Sequence, residues 1–372
     1  MVNKQIKVPY LDLKASYKKI LPQLQTAFTR VLESGMVVLG NEVKEFEEKY
    51  AQFSNTKYAV GVACGLDALI LSLSSLGIGK GDEVIVPSNT YVATLIAVSR
   101  VGATPILVES KIDTYNIDPE KIEKSITKKT KAIIPVHLFG QACEMDKILK
   151  IAEKYKLKIV EDNAQSQGAT YNGKITGSFG NINATSFYPG KNFGAIGDGG
   201  GITTNSKKYY KLILQLRNYG ERKKYYNNLI GFNSRLDELQ AAFLKIRISQ
   251  IDDINKKKNK IAQIYIKNLS NVGDLILPKT HQKATHVFHV FCIRTKKRDL
   301  LKDYLLKKGI VTLIHYPVPG HLQEAYKNLG YKKGDLPIAE ELAKTSLSLP
   351  IYPEITSDKL EYVIDSIKKF FK

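Results

Sequence analysis

Short apolar runs alternate with helical patterns through the first two hundred residues, and this alternation restricts the fold more than any other feature. Runs at Lys57–Ala63, Glu83–Pro87, Thr104–Val108, Ala132–Leu138 and Leu157–Glu161 read as buried strands. Helical patterns cover 17–34, Asn41–Phe53, Ala68–Leu76, Met145–Tyr155 and Lys207–Leu216, another opens after Ser88, and Pro119 starts a short one. The connections are mostly short. Such a chain folds as a mostly parallel sheet with helices on both faces, and ligands bind beyond the carboxyl ends of its strands. From Gly231 a long helix is expected to run past Tyr265. After it, strands at Val287–Arg294 and Val311–Ile314 with intervening helices read as a smaller α+β unit. A chain of 372 residues is long for one core. The expected division is a large α/β domain, 1–250, and a small C-terminal domain, 251–372.

One stretch carries chemistry. An apolar run, Ala184 to Tyr188, ends in Pro189-Gly190, a strand stopping at a turn, and Lys191 follows. Six of the fifteen residues from Phe187 to Gly201 are glycine, which lets the backbone pass close to something bulky. A lysine so placed can act as a Schiff-base nucleophile. Taken alone it is most simply a solvated loop lysine. Three other features sit at strand ends. Cys64-Gly65-Leu66-Asp67 leads a strand into a helix N-terminus, where free N–H groups and the helix dipole favour a phosphate, although many α/β proteins turn this way without a ligand. Tyr91, at the next such turn, is either a stacking plate or part of the core. Asp162 is either a capping carboxylate or a partner for a cationic ring. Together the four meet the needs of pyridoxal 5′-phosphate: an imine, an acid for the pyridine nitrogen, a phosphate cradle and a face to stack on.

Other classes are disfavoured. The net charge of +20 invites a nucleic-acid reading, but only eight of the 56 basic residues are Arg and the lysines are scattered. No apolar run is long enough to span a bilayer, and the polar start, Met1 to Gln5, lacks a signal-peptide pattern. Cys64, Cys143 and Cys292 are few and far apart, which points to a reducing cytoplasm and away from disulfides. His137, at the end of a buried strand, reads as a satisfied core histidine. His286 and His289 have no third ligand in view, so no metal site is expected.

The motifs Gly65-Leu-Asp-Ala-Leu69, Gly81 to Tyr91, Glu161-Asp-Asn-Ala-Gln165, Ser186-Phe-Tyr-Pro-Gly-Lys-Asn192, Asn233 to Ala242 and Ile314-His-Tyr-Pro317 together resemble the DegT/StrS family of sugar-nucleotide aminotransferases. The resemblance runs almost end to end and implies the aspartate aminotransferase-like fold. It implies that Lys191 is the Schiff-base lysine and proton carrier, that Asp162 pairs with the ring nitrogen and that Gln165 meets the ring hydroxyl. Gly65, Leu66 and Ser186 would hold the phosphate, and Tyr91 would stack on the ring. It further implies that Asn233 reaches the neighbouring subunit's phosphate, making the active unit a homodimer. His315 and Tyr316 match a segment lining the sugar pocket, and Lys224 lies in a loop facing the substrate diphosphate. A dehydratase branch has histidine at the position of Lys191, so that branch is disfavoured.

The implied reaction moves the amino group of L-glutamate to C3 of a dTDP-3-keto-6-deoxyhexose. The segments Tyr225–Asn228, Asn233–Arg235 and Ile314–Pro317 resemble the subgroup that does so. The alternatives are a C4 aminotransferase on a 4-keto sugar nucleotide, a cyclitol aminotransferase, and a non-catalytic regulator that binds the cofactor. Such regulators carry a DNA-binding domain ahead of this fold and have no need of Lys191.

Overall fold

A computed structural model describes residues 7–372; Met1 to Gln5 lies outside them. Seven strands form the main sheet: β1 (Tyr58–Val62), β2 (Glu83–Pro87), β3 (Thr104–Val108), β4 (Thr130–Ile133), β5 (Lys158–Asp162), β6 (Ile182–Ser186) and β7 (Gly200–Thr204). Their order across the sheet is β1-β7-β6-β5-β4-β2-β3. The pairs from β6 to β3 are parallel, and β7 runs antiparallel to both β1 and β6.

The two-residue period of the strands splits the core. Val84, Val86, Ala132 and Val160 face one layer, and their neighbours Ile85, Ile133 and Ile159 face the other. The first layer receives the helix Gly65–Ser75, whose Ala68 to Leu73 are all buried, so it reads as apolar almost all round. The second receives Met145–Lys154, an amphipathic helix burying only Met145, Ile148 and Ala152. His137 is the core histidine expected: its Nδ1 accepts the Cys143 N–H at 3.0 Å, and its Nε2 lies 2.7 Å from Glu161 Oε1.

Several elements depart from expectation. The helix expected over 17–34 is two, Leu13–Lys18 and Leu21–Ser34, because Pro22 belongs in a first turn and cannot donate within a continuous helix. The helix expected at Ser88 starts only at Ala93, which leaves Tyr91 in the connecting loop. Pro135 ends the fourth strand early, at Ile133, and the chain turns through Leu138–Gly140. Val287–Val290 crosses to that turn, so the later strand is only Phe291–Arg294. It pairs antiparallel with Ser346–Leu349. No strand forms at 311–314; Leu313 makes a single bridge to Ser348 before the chain leaves for His315.

The long helix also breaks. Glu238–Ile248 and Ile251–Leu269 are separated at Ser249-Gln250. Beyond the break Ile261, Tyr265, Leu269, Phe291, Ile293, Leu301, Leu347, Leu360 and Val363 form a core of their own, joined by Val8. The segment around Val8, from the other end of the chain, packs into this second core.

Candidate active site

The carboxyl ends of β1, β2, β5 and β6 surround a cavity of about 670 Å³. Gly65, Leu66, Tyr91, Asp162, Gln165, Ser186, Lys191, His315 and Tyr316 all line it. Nine residues spread over 252 positions of sequence thus meet in one place. Lys224 and Asn233 are not among its lining residues; both are exposed, on the arm that follows the helix Lys207–Leu216.

At one end the helix Gly65–Ser75 points its N-terminus into the cavity. Cys64 Sγ accepts the Asp67 N–H at a long 3.5 Å, so the first turn is weakly capped and its remaining N–H groups are available to a ligand. Only glycine fits at 65: a Cβ there would stand 2.5 Å from the Ser186 Cβ. The neighbouring strand closes in the same way, since a Cβ on Gly200 would lie 2.3 Å from the Cys64 carbonyl oxygen. Gly65 and Gly200 therefore let two backbones close against each other at this turn. The cradle they form suits a phosphate.

Asp162 is the last residue of β5 and is 6 % exposed. Burial pushes its carboxyl up; the Ala164 N–H at 3.1 Å, the charge of Lys191 and the Thr94 hydroxyl at 3.2 Å pull the other way. A buried carboxylate that faces a cavity is stabilised by a cation above it, as a protonated pyridine ring would be. Lys191 follows the turn after β6, its N–H bonded to the Tyr188 carbonyl at 2.8 Å. Burial lowers its ammonium to about 8, with Asp162 opposing. A lysine so desolvated gives up its proton far more readily than an exposed one, and the neutral form is the nucleophile and proton carrier. These residues fit pyridoxal 5′-phosphate at each of its three demands.

Gln165 is fixed between two partners. Its Oε1 accepts the Phe139 N–H at 2.7 Å and its Nε2 donates to the Tyr316 hydroxyl at 3.2 Å. Tyr316 in turn leans on Tyr91, with ring centroids 5.4 Å apart and 36° between planes. Tyr91 is 54 % exposed, so it is a plate at the rim and no part of the core. The His315 Nδ1 lies 2.8 Å from Ser348 Oγ, and burial, aided by the charge of Lys191, pushes its imidazole down to about 4. It is neutral at any working pH. Among the described residues no group of three or more His, Cys, Asp or Glu is gathered as a metal would require.

Residues 19–368 match the DegT/DnrJ/EryC1/StrS aminotransferase family. The chain belongs to this family. Among curated relatives of this aminotransferase, a dTDP-3-amino-3,6-dideoxy-α-D-galactopyranose transaminase of Aneurinibacillus thermoaerophilus is 49% identical, covering 98% of this chain and 99% of its own. A dTDP-3-amino-3,4,6-trideoxy-α-D-glucose transaminase of Streptomyces venezuelae is 45% identical, covering 98% and 96%. Among solved structures, S. venezuelae DesV in complex with a ketimine intermediate superposes with a TM-score of 0.96 at 45% identity, covering 98% of both chains. Bacillus subtilis NtdA with bound PMP superposes at 0.92 with 32% identity, covering 100% of this chain and 86% of its own. The aminotransferase fold with its mostly parallel sheet is thus the one the sequence pattern pointed to.

Sequence reasoning missed Tyr10, Leu11, Tyr188, Asp198, Lys258, Leu313 and Ile351, which also line the cavity. One signal was available. Ile251, Asn255, Lys258, Ala262, Tyr265 and Leu269 repeat at helical spacing and are buried, so Lys258 lies on the inward stripe of a helix whose other lysines, such as Lys256, Lys257 and Lys260, are exposed.

Proposed function

We propose that this aminotransferase uses pyridoxal 5′-phosphate to move the amino group of L-glutamate to C3 of a dTDP-3-keto-6-deoxyhexose, giving a dTDP-3-amino-3,6-dideoxyhexose. The observation that carries the reading is the convergence of Lys191, Asp162 and the Gly65–Ser186 cradle on one cavity. The preference for C3 rests on relatives that bear 3-amino sugar names at up to 49% identity over nearly the whole chain.

When bound, the cofactor supplies an aldehyde that carries the amino group and a ring that draws electrons from the substrate carbon. In this reading Asp162 holds the ring nitrogen protonated, and Thr94 and the Ala164 N–H keep the carboxylate oriented. The Gly65 and Leu66 N–H groups with the Ser186 hydroxyl anchor the phosphate. Lys191 Nζ in its neutral form, favoured by its lowering to about 8, would take the proton from the donor carbon that bears the amino group and deliver it to the cofactor carbon that receives the nitrogen, and in the second half-reaction would move a proton back from there to the sugar carbon. Tyr91 covers the open face of the ring. His315 and Tyr316 border the sugar, where a neutral imidazole suits hydroxyl groups better than a charged one.

The active unit is proposed to be a homodimer with shared sites. The helix Leu21–Ser34 buries Leu24, Ala27 and Val31, yet Leu21, Phe28 and Leu32 on another face are exposed. The arm adds exposed Tyr225, Tyr226, Phe232 and Ile230, the last 98 % exposed. Apolar surface of this extent favours association. Asn233 would then serve the partner's phosphate and Lys224 the partner's substrate diphosphate. The three cysteines are free thiols, which supports a cytoplasmic setting. Among the described residues no helix is long and apolar enough to cross a membrane.

The test separates the two half-reactions. L-Glutamate should bleach the visible band of the cofactor-loaded protein, and the dTDP-3-keto sugar should restore it. Restoration by the 4-keto sugar alone would move the amination to C4. A band that glutamate never bleaches would remove the donor from the account.

A further inference from the structure

A second lysine reaches the cavity. Lys258 is 4 % exposed, and its Nζ donates to Asn192 Oδ1 at 2.7 Å and to the His289 carbonyl at 3.1 Å. Both acceptors are neutral. Among the described residues it forms no ion pair with a carboxylate, and Glu354 is the sole acidic group whose charge acts on it. An ammonium has three donors, so one is left over. His289 lines the same cavity, and its Nδ1 is buried with no hydrogen-bond partner. Burial lowers Lys258 to about 7, and burial with the surrounding positive charges holds His289 well below the ordinary histidine range. A cation kept from water without a counter-charge, beside an unpaired imidazole nitrogen, is a strained arrangement that an anion in the cavity relieves.

The placement identifies the anion. The phosphate cradle is formed by the helix N-terminus at Gly65. Lys258 is tied instead to Asn192, and because the charges of both Lys191 and Lys258 act on His289, it stands on the Lys191 side of the cavity. Asn192 is itself fixed by donating to Asn255 Oδ1 at 2.8 Å and to the Val287 carbonyl at 2.9 Å. A keto sugar carries its charge on the diphosphate, several bonds from the carbon that is aminated. An amino acid carries a carboxylate one bond from the carbon that bears its nitrogen. We infer that Lys258, with His289 lining the cavity beside it, forms the subsite that docks the α-carboxylate of the amino donor. The inference rests on the aminotransferase reading above and adds to it the device by which one cavity accepts a small anionic donor as well as a large sugar nucleotide.

The experiment compares the cofactor-loaded wild type with Lys258→Met and Lys258→Arg. Glutarate, which has the donor's carboxylates and no amino group to react, is the calorimetric probe. Lys258→Met should weaken both glutarate binding and the half-saturating L-glutamate concentration about tenfold or more, the loss typical of one charged hydrogen bond. Lys258→Arg should recover most of it, and dTDP affinity should change less than about twofold. Unchanged glutarate binding, or an equal loss of glutarate and dTDP, would overturn the assignment in favour of a purely structural lysine. Should the Met variant fail to load cofactor, the wild type decides: glutarate should compete with L-glutamate and the neutral diamide of glutarate should not. Equal competition by both would sink the subsite. If L-glutamate fails to bleach the wild type at all, the donor reading fails, while glutarate binding still reports on the subsite.

Discussion

On the floor of the cavity Asp162, Ser186 and the helix that begins at Gly65 are packed into the sheet, so closely that a single methyl group at 65 or 200 has no room. The arm from Tyr219 to Phe232 does the reverse and turns Tyr225, Tyr226 and Ile230 to solvent. The first region is complete within one chain. The second buries little of what it carries, and its six apolar or aromatic side chains are all exposed. The contrast teaches where each region finds its partners. Floor residues satisfy one another, and they need a ligand only for the charges of Asp162 and Lys191. Arm residues leave apolar area uncovered, and in the proposed homodimer a second copy of the chain would cover it.

Substitutions that damage the floor should have the largest effects. Lys191→Ala should abolish turnover, a loss of at least about 10³-fold, because nucleophile and proton carrier disappear together. Retained turnover, measured with L-glutamate and the keto sugar, would break the comparison at its root. Asp162→Asn should keep the fold and the cofactor yet slow the glutamate half-reaction by about 10²–10³-fold, the range for loss of one preorganised charge. Stopped-flow bleaching of the visible band reads it.

The arm should behave differently. Ile230→Asp puts a charge where the proposed interface needs apolar area. It should shift the protein toward monomer in analytical ultracentrifugation, with little change in the melting temperature of the chain itself. A variant that stays dimeric would show that the arm is no interface.

A smaller effect sharpens the account of the floor. In the cofactor-free protein Lys191 is lowered to about 8, whereas a lysine in the unfolded chain titrates near 10.4. Between these values the unfolded state binds the extra proton, so stability rises with pH across that window. Urea unfolding of wild type and Lys191→Ala at pH 8 and pH 10 should show the wild type gaining on the variant by about 2 kcal/mol. Parallel curves would mean that Lys191 is not desolvated.

Much of this was legible in the sequence. Strand ends are set by local patterns, and the residues at or just past them, Gly65, Tyr91, Asp162, Gln165 and Lys191, could be placed without coordinates because a parallel sheet aligns its carboxyl ends. What was not legible came from the other side of the cavity. Lys258 is hidden in a lysine-rich helix, and only its register with Ile251 and Tyr265 marks it as inward. His289 reaches the cavity because Val287–Val290 pairs with the Leu138–Gly140 turn and not with a strand. That is a long-range contact with no local signature. Leu313 likewise owes its position to a single bridge with Ser348 and to the fact that the expected strand does not form.

The account's central claim is that one chain's arm reaches the ligand held on the floor of another, and mixed dimers test it most directly. Lys191→Ala removes the floor's chemistry. Asn233→Asp sets a carboxylate against the phosphate the arm would reach, a like-charge clash. Each protein alone should be close to inactive. Once they are mixed and allowed to exchange subunits, a hybrid holds one site with Lys191 from one chain and Asn233 from the other. About a quarter of wild-type activity should return, as random pairing in a two-fold dimer requires. Hybrids that form, as native mass spectrometry would show, and yet recover no activity would contradict the shared site.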